Sequence, residues 1–411
     1  QAYFEYDSKK SGGLTISHLR FGDVPIKSTY YVTKADFVAC HNPAYMSTYE
    51  IVQDVKPGGS FLLNTHWTDA ELSEHLPAAA KRHIAQNHIK LYTVDGYKAG
   101  REIGLGTRIN GVLQAAFFKI TNIVPLDRAV EEMKALIKYT YGRKGDDIVN
   151  MNYAAVDAGI SMVHEVEVPA DWADAKDCCC CAKEEKSFNR PEMKSFVENI
   201  LEPVSRHLGD RLPVSTFTGM ADGTFPQGSA AYEKRGIAVD VPEWDPAKCI
   251  QCNQCSLVCP HAVIRPYLLD EAEAAAAPAG TKMADMKPKG AYKFAMGISV
   301  LDCVGCGLCV KCCPAKEKAL VMKPLETQTA EQEKFDYLAA KVSFKETNFK
   351  PETVKGSQFK QPLLEFSGAC AGCGETAYAK LITQLFGDRM MIANATGCSS
   401  IWGGSAPSTP Y

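Results

Sequence analysis

Cysteine is the residue whose number and spacing most clearly point to chemistry in this chain of 411 residues, which contains 17 of them. Two runs, Cys249–Pro260 and Cys303–Pro314, repeat the spacing C-x2-C-x2-C-x3-C-P. This spacing is typical of bacterial ferredoxin-type domains that hold two 4Fe-4S clusters. Such clusters move electrons one at a time, so the sequence predicts an electron-transfer module.

The spacing also predicts which cysteines share a cluster. Three cysteines of a tight loop bind three iron corners, and the fourth lies on the next helical turn and reaches the other cube. One predicted ligand set, the first set, is Cys249, Cys252, Cys255 and Cys313. The other, the second set, is Cys303, Cys306, Cys309 and Cys259. Cys312 could also be the crossing ligand, but the x3 spacing and Pro314 favour Cys313 and leave Cys312 as a buried thiol.

A pair of zinc sites is the alternative interpretation of these cysteines. Zinc sites use four ligands each, usually as two separated C-x2-C pairs. Here three cysteines stand at x2 spacing in both runs, and proline follows both last ligands. The pattern therefore favours iron–sulfur clusters.

A less complete cysteine group lies near the end of the chain, at Cys370, Cys373 and Cys398. Three ligands are one short of a 4Fe-4S set. Taken alone, the group could be a zinc site, redox-active thiols or an iron–sulfur site whose last ligand lies beyond Tyr411. No function is assigned to the run Cys178–Cys181, because neighbouring side chains diverge and cannot all reach one metal. Cys40 is expected to be a buried thiol at a strand end.

Composition limits the remaining possibilities. Hydrophobic residues make up 46% and charged residues 23%, which is typical of a globular protein with two to four domains. The net charge of −3 gives no basic field for nucleic acid or acidic lipid. Apolar runs such as Gly111–Ile120 are too short to cross a bilayer, and Gln1–Ser17 does not look like a secretory signal. Clustered thiolates need a reducing compartment, so we expect a cytoplasmic protein.

Residues 1–186 alternate strand-like and helix-like segments. This rhythm predicts a doubly wound α/β domain with a mainly parallel sheet. The predicted strands are Asp36–Cys40, Ser60–Asn64 and Ile89–Val94. The predicted helices are Tyr45–Val55, Thr68–His75, Ala78–His88, Gly104–Ile120 and Leu126–Tyr139.

Three further domains are predicted after residue 186. Residues 187–241 form a small connecting domain with one or two helices in Pro191–His207. Residues 242–345 form the two-cluster α+β domain, with an insertion at Leu268–Gly290 that contains a short helix. Residues 346–411 begin a new α/β domain. Because the chain lacks an initial Met and stops at Tyr411 within a motif, we expect it to be part of a longer chain.

Two motifs of the last segment carry a family resemblance. Phe366–Thr376 and Asn394–Pro410 resemble the thiamine-diphosphate domain of the pyruvate:ferredoxin (flavodoxin) oxidoreductase family. Ser11–Gly22 and Ala39–Pro43 resemble the third domain of that family, which is of the gamma type and related to coenzyme A. The ferredoxin-type domain between them completes the family's order, so the resemblance covers essentially the whole chain.

The resemblance implies roles for individual residues. Cys370, Cys373 and Cys398 match ligands of a proximal 4Fe-4S cluster, and Glu375 and Cys398 match positions that contact thiamine diphosphate. Alternatively, Glu375 is a surface acid or a helix N-terminal charge. The resemblance connects coenzyme A with Ser11, Gly12, Gly13, Leu14 and Thr15. That loop could equally be a turn with left-handed glycines between two strands. The magnesium site and the catalytic residues would lie outside these 411 residues, so the isolated fragment should be inactive.

The resemblance also implies an activity. It is the coenzyme A-dependent oxidative decarboxylation of pyruvate, an oxidoreductase reaction of anaerobic metabolism, with electrons passing through three 4Fe-4S clusters to ferredoxin or flavodoxin. The full-length chain is expected to form a homodimer. One rival is an enzyme for another 2-oxoacid. Another is a non-catalytic electron-transfer subunit, against which the Cys370–Glu375 and Thr396–Gly404 motifs argue.

Overall fold

A computed structural model describes residues 1–6, 9–27, 30–177, 190–347, 349–404 and 411. The described chain divides into two compact units. The first contains Gln1 and the described part of residues 19–186, and the second contains residues 2–18 and the described part of residues 187–411. The two-stranded sheet of β1 (Ala2–Tyr6) and β2 (Thr15–Leu19) thus groups mainly with the second unit. The run Cys178–Cys181 lies outside the described residues.

The first unit is built around a four-stranded sheet. Its strands are β3 (Ala35–Cys40), β4 (Val55–Asn64), β5 (Lys90–Val94) and β6 (His164–Val166). Its helices are α1 (Tyr45–Thr48), α2 (Asp69–His75), α3 (Ala78–Gln86), α4 (Gly96–Ile103), α5 (Asn110–Thr121), α6 (Leu126–Tyr141) and α7 (Asp146–Ser161). β3, β4 and β5 are parallel, and β6 is antiparallel to β5.

Alternating side chains of β4 face opposite sides of this sheet, because successive strand residues point in opposite directions. Phe61 and Leu63 belong to one buried cluster together with Leu72 of α2 and Ile84 of α3. Leu62 belongs to the other cluster, with residues of α4, α5 and α7. Both faces of the sheet are therefore covered by helices, which explains the near-continuous apolar run in β4.

Three expectations for this unit need correction. The described strand order β3-β4-β5-β6 follows the sequence, without the reversal of a doubly wound sheet. The predicted helix Tyr45–Val55 is helical in α1 and as a 3-10 turn at Ile51–Asp54, after which the chain enters β4. The predicted helix Gly104–Ile120 begins only at Asn110, because Gly104 adopts φ 92° and ends α4, a helix that was not predicted. The predicted strand Ser60–Asn64 forms the end of β4, which begins five residues earlier at Val55. The other predicted strands and helices are confirmed to within about two residues at each end. Cys40 is confirmed as a buried thiol at the end of β3.

Among its described residues, the second unit contains seven strands, two of which are β1 and β2. The new strands are β7 (Asp240–Trp244), β8 (Ile264–Leu269), β9 (Ala284–Asp285), β10 (Lys293–Ile298) and β11 (Leu320–Pro324). Its helices are α8 (Met193–Phe196), α9 (Glu202–Ser205), α10 (Gln254–Val258), α11 (Glu271–Ala275), α12 (Leu308–Cys312), α13 (Glu331–Lys341), α14 (Val354–Ser357), α15 (Gly374–Phe386) and α16 (Cys398–Gly404). A π-helical segment, Val197–Leu201, joins α8 to α9. No helix among the described residues of either unit has both the length and the apolarity needed to cross a bilayer.

Residues 240–324 form two matching halves, β7-α10-β8 and β10-α12-β11. β7 pairs antiparallel with β11, and β8 pairs antiparallel with β10, so each pairing joins one strand from each half. Both pairings line one core that contains Trp244, Ile264, Phe294 and Leu320. The internal duplication in the cysteine spacing therefore has a counterpart in the chain's fold.

Candidate iron–sulfur centres

Each cysteine loop leads into a short helix that ends at the fourth cysteine. Cys259 follows α10 and Cys313 follows α12, and both adopt extended backbone conformations. The backbone N–H of Cys259 donates to the Ser256 carbonyl, and that of Cys313 donates to the Val310 carbonyl, both at 3.3 Å. The two fourth cysteines therefore leave their helices in the same way.

The loops direct a backbone hydrogen bond at the first sulfur of each run. The N–H of Gln251 donates to Sγ of Cys249, and the N–H of Gly305 donates to Sγ of Cys303, both at 3.4 Å. Gln251 and Gly305 adopt left-handed backbone, with φ of 58° and 67°. N–H···S hydrogen bonds stabilise thiolate charge and are among the features that tune a cluster's potential.

The first loop uses side chains where the second loop uses glycine. Gln251 is 1% exposed, donates from Nε2 to the Asp285 carbonyl and accepts from the Lys287 N–H, both at 2.7 Å. Asn253, with φ 61°, donates to the Lys355 carbonyl at 3.0 Å. A left-handed backbone costs a non-glycine residue about 1–2 kcal/mol. These hydrogen bonds to the insertion and to Lys355 offset that cost.

The second set converges on one cavity. Cys259, Cys303, Cys306 and Cys309 all line it, as does His261. His261 is 3% exposed, and its buried Nε2 has no hydrogen-bond partner among the described residues. A buried polar atom without a partner is costly, and a cluster sulfur could accept its hydrogen. The residues present therefore fit a 4Fe-4S cluster.

In the absence of a metal, low solvent access keeps several of these thiols protonated. Burial raises the pKa of Cys303 to about 12. Burial likewise raises the pKa of Cys255 and Cys309, and neighbouring cysteines raise both further. The neighbours of Cys255 include Cys249 and Cys252 of its own predicted set. Coordination deprotonates a thiol outright, which suits these buried sulfurs to metal ligation.

Cys312 lies closer to the first set than the sequence indicates. Its thiol interacts electrostatically with Cys313 and Cys252, and Cys255 in turn interacts with Cys312. Its Sγ donates to the Cys309 carbonyl at 3.4 Å. Cys312 is half-buried, so the prediction of a buried thiol is wrong, and Cys313 is half-buried as well. The equivalence with Cys259 favours Cys313 as the ligand, and the assignment stays a prediction.

Among the described residues, no three His, Cys, Asp or Glu side chains close around the position of a single metal ion. Four thiolates about 2.3 Å from one zinc ion would lie about 3.8 Å apart. A 4Fe-4S cube spreads its ligands more widely, because each sulfur binds a different corner.

The sequence did not identify Lys380 as part of this region. Lys380 of α15 is 1% exposed and donates from Nζ to the carbonyls of Ser256, Leu257 and Cys259. Burial lowers its pKa to about 8. The sequence signal was its helical spacing from Thr376, Ala379 and Thr383. These residues and Lys380 form the buried face of α15.

The third cysteine group lies on two helix starts. Cys373 directly precedes α15 and Cys398 begins α16, while Cys370 and Cys398 are exposed. Trp402 of α16 belongs to the same buried cluster that Cys373 packs against. Glu375 is half-buried in the first turn of α15.

Gly372 connects this group to the second set. It adopts φ 74°, and a Cβ built on it would lie 3.7 Å from Leu308 of α12. Its backbone N–H is directed at the thiol of Cys306. The loop that contains Cys370 and Cys373 therefore lies beside the second set.

The loop Ser11–Thr15 also packs within the second unit. The Ser11 N–H donates to the Gly368 carbonyl at 3.3 Å, and the Ser11 carbonyl accepts from Arg235 at 2.6 Å. Gly12 has φ 65°, and a Cβ there would collide with Ile237. Ser11 and Leu14 are buried, and Thr15 is exposed where β2 begins. A role for this loop toward coenzyme A stays a prediction.

Comparison with known proteins extends these observations. The family described as pyruvate ferredoxin/flavodoxin oxidoreductase matches residues 1–162, and a 4Fe-4S binding domain matches residues 241–264. A domain of unknown function matches residues 182–238. The fold and the cysteine pattern thus define an α/β protein with a 4Fe-4S ferredoxin-like domain.

Similar proteins cover the chain from end to end. Pyruvate:ferredoxin oxidoreductase of Moorella thermoacetica is 56% identical over 100% of this chain and 34% of its own length. Pyruvate-flavodoxin oxidoreductase of Klebsiella pneumoniae is 52% identical, with the same coverage. Pyruvate dehydrogenase [NADP(+)] of Cryptosporidium parvum is 47% identical over 100% of this chain and 22% of its own length. The chain is thus similar over its whole length to pyruvate:ferredoxin and pyruvate-flavodoxin oxidoreductases, and it spans about a third of the length of the first two relatives.

Proposed function

We propose that this chain is the cluster-bearing part of an enzyme that oxidatively decarboxylates pyruvate to acetyl-CoA and carbon dioxide, with coenzyme A as co-substrate. The 56% identity over the whole chain to a pyruvate:ferredoxin oxidoreductase carries the proposal. The two cysteine sets support it, because each supplies four ligands to a 4Fe-4S cluster that accepts one electron at a time. Ferredoxin or flavodoxin is the proposed acceptor.

The residues of this chain have defined tasks in the proposed enzyme. Thiamine diphosphate with magnesium would supply the electron sink for decarboxylation. Glu375 and the backbone at Cys398 would contact that cofactor, and Cys370, Cys373 and Cys398 would supply three ligands of a third 4Fe-4S cluster. Ser11, Gly12, Gly13, Leu14 and Thr15 would face coenzyme A.

The proposed arrangement of the complete enzyme follows the sequence. Residues 1–186, 187–241, 242–345 and 346–411 would be parts of four domains, and the full-length chain would be a cytoplasmic homodimer. The reducing cytoplasm suits the many thiolate ligands.

The test uses the full-length enzyme that contains this chain. Purified anaerobically, it should contain three 4Fe-4S clusters and reduce a viologen dye only when pyruvate and coenzyme A are both present. Reduction with a different 2-oxoacid, and none with pyruvate, would replace the substrate. Normal clusters with no response to any 2-oxoacid would indicate a non-catalytic relay, and stoichiometric zinc would overturn the cluster assignment.

The physiological acceptor needs a separate measurement, because one similar protein carries NADP(+) in its name. Ferredoxin, flavodoxin and NADP(+) should be compared as acceptors at equal pyruvate and coenzyme A. We expect reduction of ferredoxin or flavodoxin. Reduction of NADP(+) alone would contradict the proposed acceptor.

A further inference from the structure

Lys380 is a buried cation without a carboxylate partner. Among the described residues, no Asp or Glu oxygen lies within ion-pair distance of its Nζ. Its partners are three carbonyl oxygens, those of Ser256, of Leu257 at 3.2 Å and of Cys259 at 3.3 Å. Burying an ammonium group is expensive unless an opposite charge compensates it. The carbonyls at the end of α10 supply only the partial negative charge of a helix C-terminus.

The segment that binds Lys380 joins one ligand of each predicted set. Cys255, in the first set, immediately precedes Ser256, and Cys259, in the second set, provides one of the three carbonyls. The ammonium therefore lies next to the places where both clusters would put their negative charge.

A second lysine makes the same type of contact from the surface. Lys318 donates to the carbonyls of Lys311 at 3.3 Å and Cys313 at 2.5 Å, at the end of α12. Its side chain is exposed, so water screens its charge, whereas Lys380 lies in the interior. The two halves thus provide an internal comparison between a buried and a solvated cation beside a crossing ligand.

We propose that Lys380 is the shared counter-charge of both ferredoxin-type clusters and raises the reduction potential of each. Reduction adds one negative charge to a cluster, and a nearby buried cation favours that step. This role rests on the proposed ligand sets and not on the identity of the 2-oxoacid. Lys380 is a tuning residue and has no direct part in the chemistry of the substrate.

Redox titration followed by electron paramagnetic resonance tests the role in the full-length enzyme. Lys380→Met should lower both potentials by at least 59 mV, which corresponds to a tenfold loss of electron affinity for each one-electron couple. Lys380→Gln should do the same while keeping a hydrogen-bond donor to the carbonyls. Lys380→Arg should preserve both potentials because it preserves the charge.

Lys318→Met is the matched control and should shift the potentials much less. Unchanged potentials in Lys380→Met and Lys380→Gln would mean that Lys380 only caps the end of α10, and would overturn the proposal. An equal shift in Lys318→Met would also overturn it, because burial would then not matter. If Lys380→Met fails to assemble its clusters, Lys380→Gln decides. Iron and sulfide content, measured first, separates failure of the ligand sets from failure of this proposal.

Discussion

Cys259 and Cys313 hold equivalent positions in the two halves of the duplicated domain, each at the end of a five-residue helix and each donating its N–H to the carbonyl three residues earlier. Cys312, by contrast, is the last residue of α12 itself. Equivalent backbone should place equivalent ligands, which assigns the crossing role to Cys313.

Cys313→Ala should therefore remove the first-set cluster from the full-length enzyme, while Cys312→Ala should retain it. Iron and sulfide analysis measures the loss of one cluster's four irons, and electron paramagnetic resonance shows which signal disappears. The opposite pattern would mean that Cys312, which lies near Cys252 and Cys255, is the ligand.

Gln251 ties the first cluster loop to the insertion, and replacing it should free the insertion without emptying the cluster. Gln251→Gly keeps the left-handed backbone and the N–H directed at Cys249 but loses both side-chain bonds. We expect faster amide hydrogen exchange at Lys287 with unchanged iron content. Gln251→Ala should lose the same bonds and add about 1–2 kcal/mol of backbone strain. Unchanged exchange at Lys287 in both variants would contradict this anchoring role.

Gly159 allows α7 to approach α5 closely. A Cβ at Gly159 would lie 2.1 Å from the Val112 carbonyl oxygen and 2.9 Å from Ala115. Gly159→Ala should destabilise the first unit by about 1–3 kcal/mol, since the helices must separate. Denaturant-dependent hydrogen exchange of α5 and α7 amides measures the change.

Gly142→Ala is the matched control for that prediction. Gly142 has α-helical backbone and no atom within 4 Å of an added Cβ. The variant should be neutral or more stable by about 0.4–1 kcal/mol. Equal destabilisation by both alanines would show that helix contact at Gly159 is not the cause.

Glu273 joins α11 to the residues after α13. Its carboxylate accepts from Lys345 at 2.7 Å and from the Ser343 N–H at 2.9 Å. Burial opposes its ionisation, but these hydrogen bonds lower its pKa to about 2 from an ordinary value of 4.5. A depressed pKa contributes stability above about pH 4.5 that is lost as the pH falls toward 2.

Glu273→Gln should therefore speed hydrogen exchange of the Ser343 amide about tenfold at pH 7, equivalent to about 1.4 kcal/mol. The difference from the unsubstituted protein should shrink below about pH 4.5. Glu271→Gln, an exposed neighbour on the same helix turn, should leave the exchange unchanged. A difference that grows on acidification would contradict the pKa assignment.

Local patterns predicted much of this structure. Hydrophobic periodicity located β5, α2 and α3, because each is amphipathic or bounded by clear turn residues. It failed around Gly104, a left-handed residue that ends the unpredicted helix α4 and that the prediction took as the start of α5. Cysteine spacing grouped Cys259, Cys303, Cys306 and Cys309, which line one cavity, and the ligand sets themselves stay a prediction. Lys380 and the contacts of Gln251 escaped prediction because their partners are distant in sequence and meet only in the folded chain.

The contact of Gly372 with Leu308 and Cys306 gives the proposed electron path an order. The loop of Cys370 and Cys373 lies beside the second set, so an electron leaving a cluster held there would reach the second set before the first. The cluster of the first set would then be the last in the path and would reduce the acceptor protein. Gln251 and Asn253 hydrogen-bond the loop of the first set to the insertion and to Lys355. The half of the duplicated domain that has Gln251 and Asn253 in place of loop glycines would thus be the one that meets the acceptor.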